Sequence, residues 1–334
     1  MDLNLKTNRQ SLKRMLNERN EGIILAIGVS SGMESKLLYT TICDIYDKGI
    51  VPSYISGFIT YVSGYLAAAS YGLPDLGYVL REQIVRQTTT IEQATWMAAL
   101  TGSHSAFPIG VDIDTGYGNE PMSIVLTCRQ VHRAGGQYVQ IEDQYAINKS
   151  CGHMAGGHGS GKHLVSKEEM INLRIKPAVD YAKSVEDFAV MARTDAIAVE
   201  GLDSALERMH EYQEAGADIL FVEAPQGEDQ LKAVADEFKN SAAVNLANMI
   251  ERSPHTPYKS PRELHEMGFG IGLYCIGGIM AGKEAQMNYY KALAQGDNAL
   301  EVMSDSGEKW FDGFNAMIGR NYCEQFNKHF HNFQ

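Results

Sequence analysis

A cysteine sits between two basic side chains in Lys149-Ser150-Cys151-Gly152-His153, and a glycine-rich run from Met154 to Lys162 follows at once. A thiol in a basic, flexible setting can act as an acid, a base or a nucleophile. Some forty residues upstream, Asp112-Ile113-Asp114-Thr115-Gly116 closes an apolar run, a seat for a divalent cation held by carboxylate oxygens. Thiol and metal together suggest enolate chemistry. Each signal also has an ordinary reading, because a lone cysteine is commonly a small buried hydrophobe and Asp-x-Asp commonly closes a turn.

The elements that must position these residues follow from the hydrophobic pattern. Short runs rich in β-formers occur at Gly22 to Ile27, Phe58 to Val62, Pro108 to Asp112, Tyr138 to Ile141, Phe188 to Ala192, Ile219 to Val222, Ala243 to Leu246 and Ile271 to Cys275. Most are apolar throughout, as strands covered on both faces must be. Between them lie helical patterns such as Ser166 to Tyr181, Gly201 to Gly216 and Asp229 to Asn240. Strand followed by helix, repeated eight times, predicts an α/β fold, a (β/α)8 TIM barrel with extra helices at its N- and C-termini. A doubly wound dinucleotide fold is disfavoured, since no G-x-G-x-x-G turn follows the first run.

Polar residues gather where these runs stop. Tyr61 and Ser63 follow the second, Asp112 and Asp114 the third, Glu142 and Asp143 the fourth, Arg193 and Asp195 the fifth, Glu223 the sixth, and Asn248 and Glu251 the seventh. In a barrel the carboxyl ends of the strands share one mouth, so these scattered residues would meet. Solvated strand ends explain polarity, but not so many carboxylates on one rim, which would repel without a cation or protons between them.

Composition narrows the function classes. The chain has 334 residues and a net charge of −12, which argues against nucleic acid or an acidic membrane surface as partner. The absence of a low-complexity linker favours one domain over residues 1–334. Cys43, Cys128, Cys151, Cys275 and Cys323 are odd in number and contain no CxxC pair, so neither a disulfide framework nor a structural zinc site is supported. Met1 to Asn20 is polar, with no apolar core of signal-peptide length, and a reducing cytoplasm is the expected compartment.

With these residues in view, Tyr61-Val62-Ser63-Gly64, Gly72-Leu73-Pro74-Asp75-Leu76-Gly77, Val111 to Gly118, Ile141-Glu142-Asp143-Gln144, Lys149 to His153, Met191 to Ala196 and Asn248-Met249 resemble, in order, the motifs of the isocitrate lyase/phosphoenolpyruvate mutase superfamily. Val165 to Met170 and Ala198 to Asp203 are most similar to its 2-methylisocitrate lyase-like branch. The resemblance implies a (β/α)8 barrel, a homotetramer with an exchanged C-terminal helix, and Mg2+, with Mn2+ as the alternative. By motif it places Asp112 and Asp114 on the metal, with Asp75, Glu142 and Glu223 in or near its shell. Ser63 and Gly64 would bind oxo-acid oxygens, Arg193 a carboxylate, and Gly152, His153 and Asn248 would complete the substrate site.

The implied reaction is the cleavage of a 2-alkylmalate or 2-methylisocitrate-like acid to an α-oxo acid, pyruvate or glyoxylate, and a dicarboxylate. Cys151 would protonate the departing carbanion, Tyr61 would deprotonate the substrate hydroxyl, and Lys149 and His153 would favour thiolate and bind carboxylate. A hydrogen bond within the loop is the alternative role for His153. The cysteine disfavours phosphoenolpyruvate mutation, while an oxaloacetate-type hydrolase, a carboxyphosphonoenolpyruvate-like mutase and a binding-only carboxylate barrel remain as alternatives.

Some positions depart from the motifs. Ser150 replaces a customary cation, Tyr65 a small residue and Ile250 a threonine, which points to a narrower or less anionic pocket. Residues 144–165, with a lengthened loop carrying His158 and His163, read as an active-site lid, and Tyr39 to Ser56 as an insertion, both near the mouth. Residues 295–334 read as a helical extension whose Phe311, Phe314, Tyr322, Phe326, Phe330 and Phe333 make a docking surface, exchanged between subunits.

Overall fold

All eight apolar runs form strands, and the strands close on themselves in sequence order, every neighbouring pair parallel. The computed structural model describes residues 9–18, 22–147, 149–153, 162–253, 255–303 and 310–331. The strands are β1 (Ile23–Gly28), β2 (Ile55–Val62), β3 (Ile109–Asp112), β4 (Tyr138–Glu142), β5 (Ala189–Thr194), β6 (Ile219–Val222), β7 (Val244–Asn248) and β8 (Ile271–Tyr274). The helices are α1 (Leu12–Asn17), α2 (Gly32–Asp47), α3 (Gly64–Ser70), α4 (Arg81–Thr101), α5 (Pro121–Arg133), α6 (Lys167–Glu169), α7 (Lys176–Lys183), α8 (Leu202–Glu214), α9 (Gly227–Phe238), α10 (Pro261–Met267), α11 (Gly277–Gln295), α12 (Trp310–Met317) and α13 (Arg320–His331). This is the expected (β/α)8 barrel with additional helices.

Alternation along each strand makes two cores. Ile24, Ile59, Tyr138, Met191, Ile219, Leu246 and Ile271 fill the barrel interior. Val62, Val111, Val139, Val190 and Val222 face the surrounding helices. The amino-terminal end of the barrel is stoppered by α1, whose Leu12 and Leu16 join the interior core. Asp187, just before β5, accepts from the Leu12 and Lys13 amides at 3.1 and 2.8 Å and from Gln137 Nε2 at 2.6 Å, which pins that stopper. One end is therefore closed, and the site must lie at the other.

Two expectations change. Tyr39 to Ser56 lies at the closed end, because α2 leaves the mouth after β1 and must run back to feed β2. There Ile23 N donates to Tyr54 O at 2.8 Å and Ile55 N to Pro52 O at 3.0 Å. The single helix expected over Ser166 to Tyr181 is α6 and α7 joined by a wider π-type turn, Met170–Ile175. Pro177 has no N–H to continue a regular ladder, and a widened turn ahead of it accommodates that loss. The turn carries Arg174, whose guanidinium donates to Glu142 O at 2.6 Å and Gln144 O at 2.8 Å, buttressing the end of β4.

The C-terminal helices are mostly uncovered. On α11 only Ala292 is buried, while Met287, Tyr290 and Leu293 are exposed. Phe311, Phe314 and Ile318 are exposed on and just after α12, and Phe330 on α13, where Tyr322 stacks on Phe326 and Phe330 lies tilted against Phe326. Phe333 lies outside the described residues, as do 154–161 of the glycine-rich run, including His158. No helix among the described residues is long and apolar enough to cross a membrane.

Candidate active site

The mouth of the barrel holds a cavity of about 260 Å³, lined by Tyr61, Ser63, Asp75, Asp112, Cys151, Gly152, His153, Arg193, Glu223 and Asn248. Each of these was expected at the site from sequence, and they come from seven different strand ends or loops. Glu142, Arg193 and Asn248 lie on the strands themselves, which run one or two residues further than the apolar runs suggested.

Asp112, Asp114 and Glu142 converge, with one oxygen from each lying within 4.8 Å of the others. Asp114 adopts a left-handed φ of 50°, unusual outside glycine. That turn hands its carbonyl to Glu142 N at 3.0 Å, while its own amide donates to Asp112 Oδ1 at 2.9 Å. Asp112 Oδ2 accepts from Gly64 N at 3.2 Å. A Cβ at Gly64 would stand 3.0 Å from Asp112 Oδ2 and 3.1 Å from Asp114 Oδ1, close enough that these carboxylates would have to give by a few tenths of an ångström.

Glu142 is fully buried, and neither of its carboxylate oxygens has a hydrogen bond among the described residues; Oε2 has Arg193 Nη1 at 3.3 Å. Burial and the neighbouring Asp114 push the Asp112 carboxyl up to about 7, and burial pushes Glu142 up as well. Three converging buried carboxyls, of which Glu142 and Asp114 keep oxygens without a hydrogen bond, are what a hard divalent cation would satisfy. The residues fit a divalent metal ion.

Asp75 and Glu223 stand outside this group. Asp75 accepts from Lys149 Nζ at 2.5 Å, and the same ammonium lies 2.7 Å from Asp114 Oδ1. Glu223 faces the other wall, 3.4 Å from Asn248 Nδ2, 3.6 Å from His153 Nε2 and 3.7 Å from Arg193 Nη2. Both are placed beside the cluster rather than in it.

Arg193 is a buried fork. Its Nε and Nη2 reach the two oxygens of Asp195 at 2.9 and 3.0 Å, and the guanidinium lies 5.3 Å from the Phe221 ring centroid. Burial alone would raise the Asp195 carboxyl, but Arg193 and Lys162 hold it below the ordinary range. Asp143 completes the support, accepting from Asp195 N at 3.0 Å and Thr194 Oγ1 at 2.7 Å.

The thiol does not match its expected ionisation. Burial, with Asp75 and Glu223 nearby, pushes Cys151 up to about 12. Lys149 was expected to favour thiolate, yet its charge is taken up by Asp75 and Asp114. His153 is no cation either: burial lowers its pKa, and its Nδ1 shares a hydrogen bond with Ser253 Oγ at 2.8 Å. Cys151 is therefore a protonated thiol, suited to giving a proton. Tyr61 changes likewise. Its hydroxyl donates to Gln140 Oε1 at 2.6 Å, and burial, then Asp112, raises its pKa well above the ordinary value, so it is a phenol and not a standing base.

Gly152 brings the cysteine segment down onto this wall. A Cβ there would lie 1.8 Å from Glu223 Oε1 and 2.4 Å from Arg193 Nη2. Ser63 caps α3, accepting from Leu66 N at 3.4 Å and from Cys275 Sγ at 3.0 Å. Gln140, Lys162 and Cys275 were not singled out from sequence as site residues. Gln140 is an inward polar residue in the otherwise apolar run Tyr138 to Ile141, and Cys275 ends the eighth run, signals that were available; Lys162 had none.

The sequence matches the phosphoenolpyruvate phosphomutase family over residues 57–295, well over half of the chain. The chain belongs to this family. Among its relatives, 2,3-dimethylmalate lyase of Eubacterium barkeri is 36% identical over 260 residues, covering 78% of this chain and 81% of the relative. The 2-methylisocitrate lyase of Escherichia coli (strain K12) is 37% identical over 242 residues, 72% of each chain. In three dimensions this phosphomutase-family barrel superposes on a crystal structure of a 2,3-dimethylmalate lyase of the PEP mutase/isocitrate lyase superfamily with a TM-score of 0.77 and 25% identity, covering 95% and 93% of the two chains. It also shares its fold with an oxaloacetate acetylhydrolase, at a TM-score of 0.77 and 23% identity over 96% and 95%. These matches bear out the superfamily that the ordered motifs indicated.

Proposed function

We propose that this protein cleaves a carbon–carbon bond in a 2-alkylmalate or 2-methylisocitrate-like acid, releasing an α-oxo acid and a dicarboxylate with the help of Mg2+. The coarser statement follows from its relatives: it is an enzyme, a carbon–carbon lyase of this superfamily. The observation that carries the finer reading is the Cys151 thiol lining the same cavity as Arg193 and Asp112, the residue on which Asp114 and Glu142 converge.

Asp112, Asp114 and Glu142 would hold the ion, which when bound supplies a Lewis acid for the oxygens of the oxo acid. The Ser63-Gly64 segment, whose Gly64 amide holds Asp112 Oδ2, would flank the same oxygens, and Arg193 and His153 would bind and orient carboxylate. As the bond breaks, its electron pair passes to the carbon beside the departing carboxylate, and Cys151 Sγ–H delivers a proton to that carbon. The substrate hydroxyl becomes the oxo group as its proton passes to Glu223, the carboxylate that lines the same cavity outside the metal cluster, while Tyr61, held by Gln140, would steady that oxygen as a hydrogen-bond partner.

The test is an NMR assay with MgCl2 in which isocitrate, 2-methylisocitrate, 2,3-dimethylmalate and oxaloacetate are offered separately. Pyruvate or glyoxylate appearing with a dicarboxylate is the expected result. Oxalate with acetate from oxaloacetate would instead move the protein to C–C hydrolysis, and recovery of every acid intact would overturn the reading. Cys151→Ser is expected to abolish cleavage while calorimetric Mg2+ and oxalate binding persist; unchanged turnover would remove the thiol from the reaction.

A further inference from the structure

Lys162 is a buried lysine outside the cavity wall, with its side chain 4% exposed. Its Nζ donates to Gly152 O at 2.7 Å and to Asp195 Oδ1 at 2.7 Å. These two acceptors belong to the two halves of the site. Gly152 directly follows Cys151, and its backbone lies so close to Glu223 and Arg193 that a Cβ there would displace one or the other. Asp195 is the carboxylate that grips the Arg193 guanidinium through both of its oxygens. A single ammonium thus ties the peptide carrying the thiol to the anchor of the carboxylate-binding arginine.

We propose that Lys162 is a positioning residue that holds Cys151 over the substrate by clasping the Gly152 carbonyl to Asp195. An ammonium is suited to this, because it carries several donors and a full charge, and charge-assisted bonds to both acceptors in a buried setting are stronger than neutral ones. A neutral side chain would leave a buried carboxylate with one cation fewer and the Gly152 carbonyl unpaired, and the cysteine segment would lose its tie to β5. Because the thiol must reach a particular carbon, a displacement of about 1 Å costs roughly 100-fold in rate. The proposal rests on the reading of Cys151 as the proton donor, but the position of the thiol can be measured without turnover.

The experiment compares the full-length protein with Lys162→Met, Lys162→Gln and Lys162→Arg, each checked for cooperative thermal unfolding. Alkylation of Cys151 by iodoacetamide, followed by peptide mass spectrometry, reads its placement. The expected result is labelling about tenfold faster in the methionine and glutamine variants, with the arginine variant near the parent rate. With an acid that the parent cleaves, kcat should fall roughly 100-fold in the two neutral variants while KM stays within about threefold, and arginine should restore much of kcat. Equal labelling rates across the series, or parent-like kcat in a folded neutral variant, would overturn the clasp. If the methionine variant does not fold, the glutamine variant decides the same question. Should the parent cleave none of the acids, the function reading fails while the labelling series still decides the role of Lys162.

Discussion

At the scale of single residues, the site works by withholding charge. Cys151 is kept protonated by burial and by acidic neighbours, although basic residues stand on both sides of it in sequence. With its pKa pushed up to about 12, its alkylation rate should still rise about tenfold per pH unit between pH 8 and 10, where an ordinary thiol levels off. A plateau near pH 9 in the labelling profile would contradict that environment. Gly152 is the second sensitive point. The methyl group in Gly152→Ala would enter the space of Glu223 Oε1 at 1.8 Å, so either the cysteine peptide or the Glu223 and Arg193 side chains that face it must shift. Cleavage should fall roughly 100-fold, as expected for a displaced catalytic group, with Mg2+ binding retained by calorimetry. Glu142→Gln should act in the opposite way, weakening Mg2+ because the cluster loses a buried anion, and calorimetry would show it directly.

At the scale of elements, the division of labour between barrel ends can be tested. Leu12 on α1 is fully buried in the stopper of the closed end, far from the chemistry. Leu12→Ala should lower stability by about 2–5 kcal/mol in urea denaturation, the range for emptying such a site. The same variant should leave kcat per folded molecule unchanged; a lowered kcat would mean that the stopper communicates with the mouth. The strands and their order were legible because each is an apolar run ending in polar residues, a pattern with few competing readings. The widened turn ahead of Pro177 was not, since helical periodicity does not distinguish three and a half residues per turn from a local excess of one. Nor was the location of Tyr39 to Ser56, which depends on the direction α2 takes from the barrel.

At the scale of the whole molecule, α11 to α13 display apolar side chains that one subunit leaves uncovered. Met287, Tyr290, Phe311 and Phe330 are all exposed. The expected assembly is a homotetramer in which these helices are covered by a neighbour, and light scattering should give a mass near four chains. Removal of residues 310–334 should reduce that mass, and an unchanged tetramer would assign the contacts elsewhere. The sequence by itself determined the barrel and the gathering of Tyr61, Ser63, Asp112, Arg193, Glu223 and Asn248 at its mouth, because each lies at a fixed place where an apolar run ends and eight parallel strands bring those places together. Only the tertiary structure decided what the residues do there. Protonation of Cys151 and Tyr61, the diversion of Lys149 to Asp75 and Asp114, and the reach of Lys162 to Gly152 and Asp195 depend on burial and on partners distant in sequence. Solvation and Coulomb interactions are set by neighbours in space, and those neighbours exist only once the chain has folded.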